Sequence, residues 1–575
     1  MRKINISLVL VFLMFSVHAS RTRVSTASEI NNGSWKAGDT IVMINGTWTN
    51  QAITLKAEGS AEQPIVLMAE TPGEVILNGS SYLYFSGKYI HITGLFFKDG
   101  DRDDDDIIAF RTSSSILAEN CRISNIAIEN YNPTINTKDS KWVSIYGKNN
   151  QVDHCSFVNK TNSGTLLVVW LKSGGEPPNH IIDHNYFGYR NANVDASGSE
   201  LNGQEIIRIG DSKTSMQTAG VVVSNNFFEH CNGEIEIISS KSCENIYTNN
   251  MFYECVGMLT LRHGNRCTVE GNYFIGNGIS RTGGVRIIGE DHKVYNNYFE
   301  RLEGSEYRSA LCIVRGKENS ALNEYFQVKN ALVAFNTMVD CKNSFTINYN
   351  SDAAKNLPPI GTTIAHNHVY NTSGSNINVG IYQINVAAME LSWKNNLMNQ
   401  GIFYFLTPDS SEVVTGIEPS MALAGTNPDI LEPGEGSALA GYSINEYPEV
   451  SVDLRGRDRN TIKMPGASQL SGTIVREMPT KETTGADYYT PAPPSTKIVM
   501  LAKTAEFKAY AVNGELFSTV SEPGTLAVYN LSGRCLHQQK MSEGSNITKL
   551  SSKGMFILRF QSDGGAVATR KIISY

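Results

Sequence analysis

His184-Asn185-Tyr186-Phe187 returns along the chain as Asn225-Asn226-Phe227-Phe228, Asn249-Asn250-Met251-Phe252, Gly271-Asn272-Tyr273-Phe274 and Asn296-Asn297-Tyr298-Phe299. Weaker copies follow at Asn336-Thr337-Met338, Asn367-His368-Val369 and Asn396-Leu397-Met398. The steps 226→250, 250→272 and 272→297 are 24, 22 and 25 residues, and the longer steps 185→226 and 297→336, 41 and 39 residues, imply inserted loops. Between the copies lie runs such as Ile206-Ile207-Arg208-Ile209, Glu234-Ile235-Glu236-Ile237-Ile238, Met258-Leu259-Thr260-Leu261 and Val285-Arg286-Ile287-Ile288. These runs are too short for helices and rich in β-branched residues. A repeat of this size cannot bury its apolar face alone, whereas stacking each turn on the next buries that face and pairs every strand edge. The recurring Asn is assigned to a tight corner, where it tolerates left-handed backbone and hydrogen-bonds to its neighbours above and below. The reading is an all-β chain built on a right-handed parallel β-helix.

Outward from that core, first turns are read at Gly38–Trp48 and Pro64–Met68, and the pattern fades after about residue 400. The division read from the sequence is a β-helix over 21–403, an irregular loop-rich extension over 404–477 and a Thr- and Pro-rich linker over 478–496. Alternating strands such as Leu526–Tyr529 and Met555–Phe560 then mark a small C-terminal β-sandwich over 497–575. Residues 1–20 open with Arg2 and Lys3, continue through the apolar run Ile6–Val17 and offer small residues at Val17-His18-Ala19, the pattern of a cleaved secretory signal peptide. No later segment is long and apolar enough to span a membrane. The cysteine pairs 231/255 and 243/267 are each 24 residues apart, as stacked equivalents in successive turns would be, so free buried thiols are expected rather than disulfides.

The chain of 575 residues carries 49 Lys+Arg against 56 Asp+Glu, a net charge of −7. With no basic excess to neutralise phosphates, a general nucleic-acid binder is excluded. Apolar residues at 41% and charged residues at 18% exclude a disordered chain.

The chemistry concentrates in residues 202–262. Glu234 and Glu236 stand at i, i+2 in what reads as one strand, so both carboxylates face one side. Lys241 follows, and Arg262 comes 21 residues later, close to one full turn. Asn202 precedes them in Leu201-Asn202-Gly203-Gln204-Glu205. With turns about 4.8 Å apart, these groups share one patch. Two carboxylates and an amide oxygen are hard ligands suited to Ca²⁺. A Lys beside a divalent cation and Arg262 is pushed towards its neutral form, which makes Lys241 the candidate general base. Arg262 stays charged and can support a departing oxygen. Together these groups suit β-elimination in a uronic-acid polymer, with Ca²⁺ on the substrate carboxylate, so the partner expected is an anionic polysaccharide. Two other readings are a glycosidase carboxylate pair, which leaves the Lys and Arg without a task, and a glycan-binding adhesin using the same groove.

Asn232-Gly233-Glu234-Ile235-Glu236-Ile237-Ile238-Ser239-Ser240-Lys241-Ser242, with Leu261-Arg262-His263-Gly264-Asn265, resembles polysaccharide lyase family 6, which holds alginate lyases and chondroitinase B on a right-handed β-helix. The resemblance covers roughly residues 28–400. It implies Lys241 as base, Arg262 as acid, Asn202, Glu234 and Glu236 as Ca²⁺ ligands (with Glu205 the alternative to Asn202), and His263 and Arg286 as groove residues. Alginate is the substrate expected and dermatan sulfate the alternative. The tail, with Val528-Tyr529-Asn530-Leu531-Ser532-Gly533-Arg534 and Arg570-Lys571-Ile572-Ile573, resembles a type IX secretion sorting domain. Together with the leader, it implies export or a cell-surface or periplasmic location.

Overall fold

The computed structural model of the chain describes residues 19–491 and 507–574, apart from 104, 195–199, 350–351, 373–378, 384–388, 425–427, 513–514, 531–534, 551–553 and 564–566. Most of the leader (1–18), the end of the expected linker (492–496) and Leu531–Arg534 of the tail motif lie outside the described residues. Two units emerge, Met1–Pro491 and Ala492–Tyr575.

The first unit is a parallel β-helix. Three sheets of fourteen strands each run the length of it, with all their strand pairings parallel and made between successive turns. The first sheet runs from Arg21–Val24 to Leu391–Lys394, the second from Ala52–Glu58 to Phe403–Tyr404, and the third from Gly46–Thr49 to Val413–Thr415. A short helix, Ala27–Asn31, closed at its start by a Thr26/Glu29 capping box, buries Ala27 and Ile30.

The Asn motif builds the corner between the first and third sheets, but it divides the work between two positions. The residue before the ladder Asn takes the left-handed backbone: His184, Asn225, Asn249, Asn296, Phe335, His366 and Asn395 have φ between 45° and 57°, and Gly271 has 65°. The ladder Asn itself is buried and hydrogen-bonds along the axis. Asn250 Oδ1 accepts from Asn226 N at 3.1 Å and Nδ2 at 2.9 Å, and Asn250 Nδ2 donates to Asn272 Oδ1 at 2.9 Å and Val223 O at 2.9 Å. The same pattern runs unbroken from Asn185 to Asn396. Replacing Asn250 by Ala strands several buried donors and acceptors at once, at about 1–3 kcal/mol for each group left unpaired. Urea unfolding of Asn250→Ala is therefore expected to show a loss well above that of an ordinary surface substitution.

Beside this ladder the motif's last residue stacks inside the helix. Phe157, Phe187, Phe228, Phe252, Phe274 and Phe299 form one column with ring centroids 4.6–5.2 Å apart. The intervening Tyr186, Phe227, Met251, Tyr273 and Tyr298 face outward and are nonetheless buried. Ile430, Leu454, Ala467 and Met478 cover them.

That cover comes from the segments read as a loop-rich extension and a linker; the first is as irregular as expected, and the second differs. Residues 404–477 are short on regular structure, but they are a strap that returns along the third sheet. Leu431 N donates to Tyr298 Oη, Ala467 N to Thr337 Oγ1, and Arg476 pairs with Glu270. The stretch 478–496 was read as a linker, yet 478–491 continue the strap. Gly485 N donates to His184 O, Ala486 N to Ser156 Oγ, and Tyr488 Oη to Leu95 O at 2.6 Å. Its Thr and Pro content marks an extended segment, and the outward aromatics of the third sheet give that segment a surface to pack on.

All nine cysteines are free, and eight are buried. Cys231 N donates to Cys255 Sγ at 3.4 Å, the axial stacking that the equal spacing implies.

The second unit has antiparallel sheets of three and four strands around Phe507, Leu516, Leu526, Val528, Phe556, Leu558 and Phe560.

Candidate active site

Glu234, Glu236, Lys241, Arg262, His263, Arg286 and Asn202 line one open cleft of ≈ 520 Å³ on the second sheet, so the structure brings every sequence-read site residue to one place. Three successive strands carry it, Glu236–Lys241, Met258–His263 and Val285–Ile287, with Asn202 and Ser212 from either side of Ile207–Ile209.

Two irregularities in the pairing of Glu236–Lys241 with Met258–His263 set the side-chain directions. Glu236 pairs with Met258 and Ile238 with Leu259, which leaves Ile237 as an extra residue. Ile237 and Ile238 are both buried in the core, and Glu236 stays on the outward face with Ser239, whose Oγ donates to Glu236 Oε2 at 2.5 Å. Ser240 pairs with Leu261 and Lys241 with His263, so Arg262 is the extra residue of the second bulge. Bulges commonly re-aim a side chain beside an active site. The i, i+2 reading of Glu234 and Glu236 on one strand is corrected accordingly. The strand begins at Glu236, and Glu234 sits in the bend before it.

Glu234 is the electrostatic anomaly. Its Oε2 accepts from Gly203 N at 2.8 Å and Gln204 N at 3.0 Å. Burial, followed by the nearby Glu205 and Glu236 carboxylates, still pushes its carboxyl up to about 8. Glu234 is thus short of positive charge, whereas Glu236 is paired with Arg286 and lies near Arg262. Between the unfolded value near 4.5 and about 8, the folded chain holds a proton that the unfolded chain releases. Stability therefore falls as pH rises through that window. In metal-chelated protein, thermal unfolding is expected to show that fall, and Glu234→Gln to flatten it.

Lys241 Nζ lies 3.6 Å from Glu205 Oε1. Glu205 is buried, and Thr165 Oγ1 donates to its Oε2 at 2.7 Å. Asn202 is exposed, and its Oδ1 accepts from Gly203 N. Arg262 is held from several sides. Its guanidinium donates to Glu324 O at 2.8 Å and Asn323 O at 3.3 Å, lies 3.5 Å from Glu236 Oε1 and sits 4.4 Å over the Tyr325 ring. It also donates to His263 Nε2 at 2.8 Å, so that nitrogen is the acceptor and the proton is on Nδ1. Burial, then Arg262 and Lys241, lower His263 to about 3, so the ring stays neutral. His263 is 2% exposed. It lines the cleft while nearly fully buried, and its ring accepts the hydrogen bond from Arg262. Arg286, also buried, pairs with Glu236 at 2.5 Å.

The sequence reading missed Tyr325 and Asn323, which come from the inserted loop after Leu311–Val314, and Glu200. Arg308 lines the cleft and faces Glu200 at 3.6 Å, not the acids near it in sequence. No local pattern marks these residues, because insertions bring them in.

Among the described residues no three His, Cys, Asp or Glu side chains are gathered in ligating geometry. The donors do fit a hard divalent cation in kind. Glu234 and Glu236 offer carboxylate oxygens to one cleft, the kind of donor such an ion takes, and the raised Glu234 carboxyl marks a place where added positive charge would be welcome.

Solved structures give the context. The PL6 family alginate lyase AlyGC is 32% identical with a TM-score of 0.70, the match covering 82% of this chain and 59% of AlyGC, so the chain spans little more than half of that protein. A mannuronic acid specific polysaccharide family 6 lyase from human gut microbiota is 29% identical, TM-score 0.60, covering 68% of this chain and 87% of that one. The PL6 family polysaccharide lyase Pedsa3628 from Pseudopedobacter saltans is 28% identical, TM-score 0.55, covering 68% and 94%. Comparison with curated proteins returns no match. The family model for Chondroitinase B matches residues 24–415, more than half of the chain and all of the strands that carry the cleft, and the chain belongs to the chondroitinase B family.

Proposed function

We propose that this chain is a polysaccharide lyase that cleaves alginate by β-elimination. The observation that carries the reading is that Lys241, at a strand end, a bulged Arg262 and the Glu234 and Glu236 carboxylates line one open cleft. Lys241 takes the C5 proton of a uronate, the electron pair forms the C4=C5 double bond, and the C4–O4 bond breaks. Arg262 gives O4 its proton as that bond breaks, and the C5 proton held by Lys241 passes to solvent, from which Arg262 is reprotonated. The amine of Lys241 starts within 3.6 Å of Glu205, so the incoming substrate must free it from that pairing. Glu236 and His263 fix the guanidinium that meets O4.

Ca²⁺ belongs to the same proposal, with Glu234, Glu236 and either Asn202 or Glu205 as the residues that would hold it. When bound there, the ion supplies charge neutralisation at the substrate carboxylate. Chelation is expected to stop turnover and added Ca²⁺ to restore it. Full activity after confirmed metal loss would leave neutralisation to Arg262 and Arg286.

Alginate is preferred because the PL6 structures at 28–32% identity include a lyase of alginate and one specific for mannuronic acid. The test incubates the protein with alginate and with dermatan sulfate and sizes the products. Cleavage of dermatan sulfate with alginate left intact would overturn the substrate, and polymer of unchanged length in both would favour the glycan-binding reading. Export is proposed on the leader 1–20 and the tail 497–575; among the described residues no helix is long and apolar enough to cross a membrane. Mass spectrometry of protein collected outside the cells is expected to find the chain beginning just after residue 20, and an intact leader there would contradict the proposal.

A further inference from the structure

Upstream of the cleft on the second sheet lies a larger hollow of ≈ 790 Å³, lined among others by Arg111, Tyr146, Lys148, Trp170, Lys172 and Gln217. Its position follows from the strand register. Ile145, Val169, Ile209 and Ser240 pair in sequence across four turns, and the residues that follow them are Tyr146, Trp170, Gly210 and Lys241. Ala109 pairs with Ser144 one turn earlier, which sets Arg111 beside Tyr146. The hollow and the candidate base therefore lie on one line along the axis.

Arg111, Tyr146 and Trp170 on that line form a stack with Arg208, which stands two residues before Gly210. The Arg111 guanidinium lies 3.9 Å over the Tyr146 ring, Tyr146 and Trp170 are parallel within 11° at 6.1 Å, and the Arg208 guanidinium lies 5.3 Å over Trp170. Trp170 Nε1 donates to Ser144 Oγ at 3.2 Å, which fixes the indole from below. Among the described residues neither Arg111 nor Arg208 has a carboxylate within ion-pair distance, although most arginines around the cleft do, and Arg208 Nε is buried without a partner. Gly210 carries no side chain at the position between Trp170 and Lys241 on this line. A Cβ there would come within 2.7 Å of Lys241 O, and at φ +79° a side chain would be strained. The line between the stack and Lys241 therefore presents backbone at Gly210, with Leu171 Cδ1 3.2 Å from where a Cβ would stand.

We infer that the Arg111–Tyr146–Trp170–Arg208 stack is a distal binding segment of the groove that holds carboxylates of the same anionic polymer two to three turns from the reacting sugar. At about 4.8 Å per turn, Trp170 stands roughly two turns and Tyr146 roughly three turns from Lys241. Planar guanidiniums pinned on aromatic faces keep free N–H groups for bidentate capture of carboxylates. The stack makes the groove longer than the reacting pair of sugars requires, so the protein is built for long chains over short ones.

This inference rests on the proposed uronate substrate, and the test separates the two. Rates are measured on purified alginate oligomers of increasing length for wild type and Arg111→Gln/Arg208→Gln, with circular dichroism to show that the variant is folded. Arg111→Lys/Arg208→Lys, which keeps charge and gives up the planar fork, replaces it if it is not. For wild type kcat/KM should climb steeply with length. Losing both guanidiniums should cut the long-over-short ratio by about tenfold or more, because charge-assisted contacts of this kind are strong ones. An unchanged ratio overturns the inference while leaving the lyase reading in place. If wild type cleaves no alginate, the lyase reading fails, and retardation in alginate-containing gels decides the inference alone. Wild type slowed more than the variant supports it, and equal mobility overturns it.

Discussion

Lys241→Ala is expected to lower kcat on alginate by at least the 10²–10⁴-fold typical of a lost general base, with little change in stability. The residue is at the rim of the cleft, makes one ion pair at 3.6 Å and contributes nothing to the core. Its loss removes the only amine that lines the cleft among the described residues. The variant should still bind polymer, since Arg262, Arg286 and the upstream stack remain. Unimpaired turnover by Lys241→Ala would move the base elsewhere, and loss of binding together with turnover would make Lys241 a charge contact instead.

Glu236→Ala is expected to harm both activity and fold, which sets it apart. Glu236 pairs with buried Arg286 at 2.5 Å, lies 3.5 Å from Arg262 and accepts from Ser239. Removing one partner of a buried pair leaves an uncompensated charge, at about 3–5 kcal/mol. Arg262 also loses one of the groups that orient it. Urea unfolding should show the stability loss, and excess Ca²⁺ should fail to restore activity. Full rescue by Ca²⁺ with unchanged unfolding would make Glu236 a metal ligand only.

The winding of the chain was legible because one Asn recurs at nearly constant steps and because a buried amide has to be satisfied along the axis. Glu234, Glu236, Lys241 and Arg262 were legible because residues one turn apart in sequence become neighbours in space. The two bulges were not. Ile237 and Arg262 look like ordinary strand residues, and only the pairing with the next turn shows that each is extra. The strap was also hidden, since the outward aromatics Tyr186, Phe227 and Tyr298 show that something covers them but not which segment. The stack of Arg111, Tyr146, Trp170 and Arg208 escaped for the same reason as Tyr325. Insertions of unequal length separate its members, so no fixed period connects them.

The most direct test of the account is the mass and ultraviolet absorbance of the products from purified protein and alginate. β-Elimination adds no water, so the new non-reducing ends should carry a 4,5-double bond, absorb in the ultraviolet and be lighter by one water than hydrolysis products. Saturated products one water heavier, without absorbance, would contradict the lyase account and return the Glu234–Glu236 pair to the chemistry of a hydrolase.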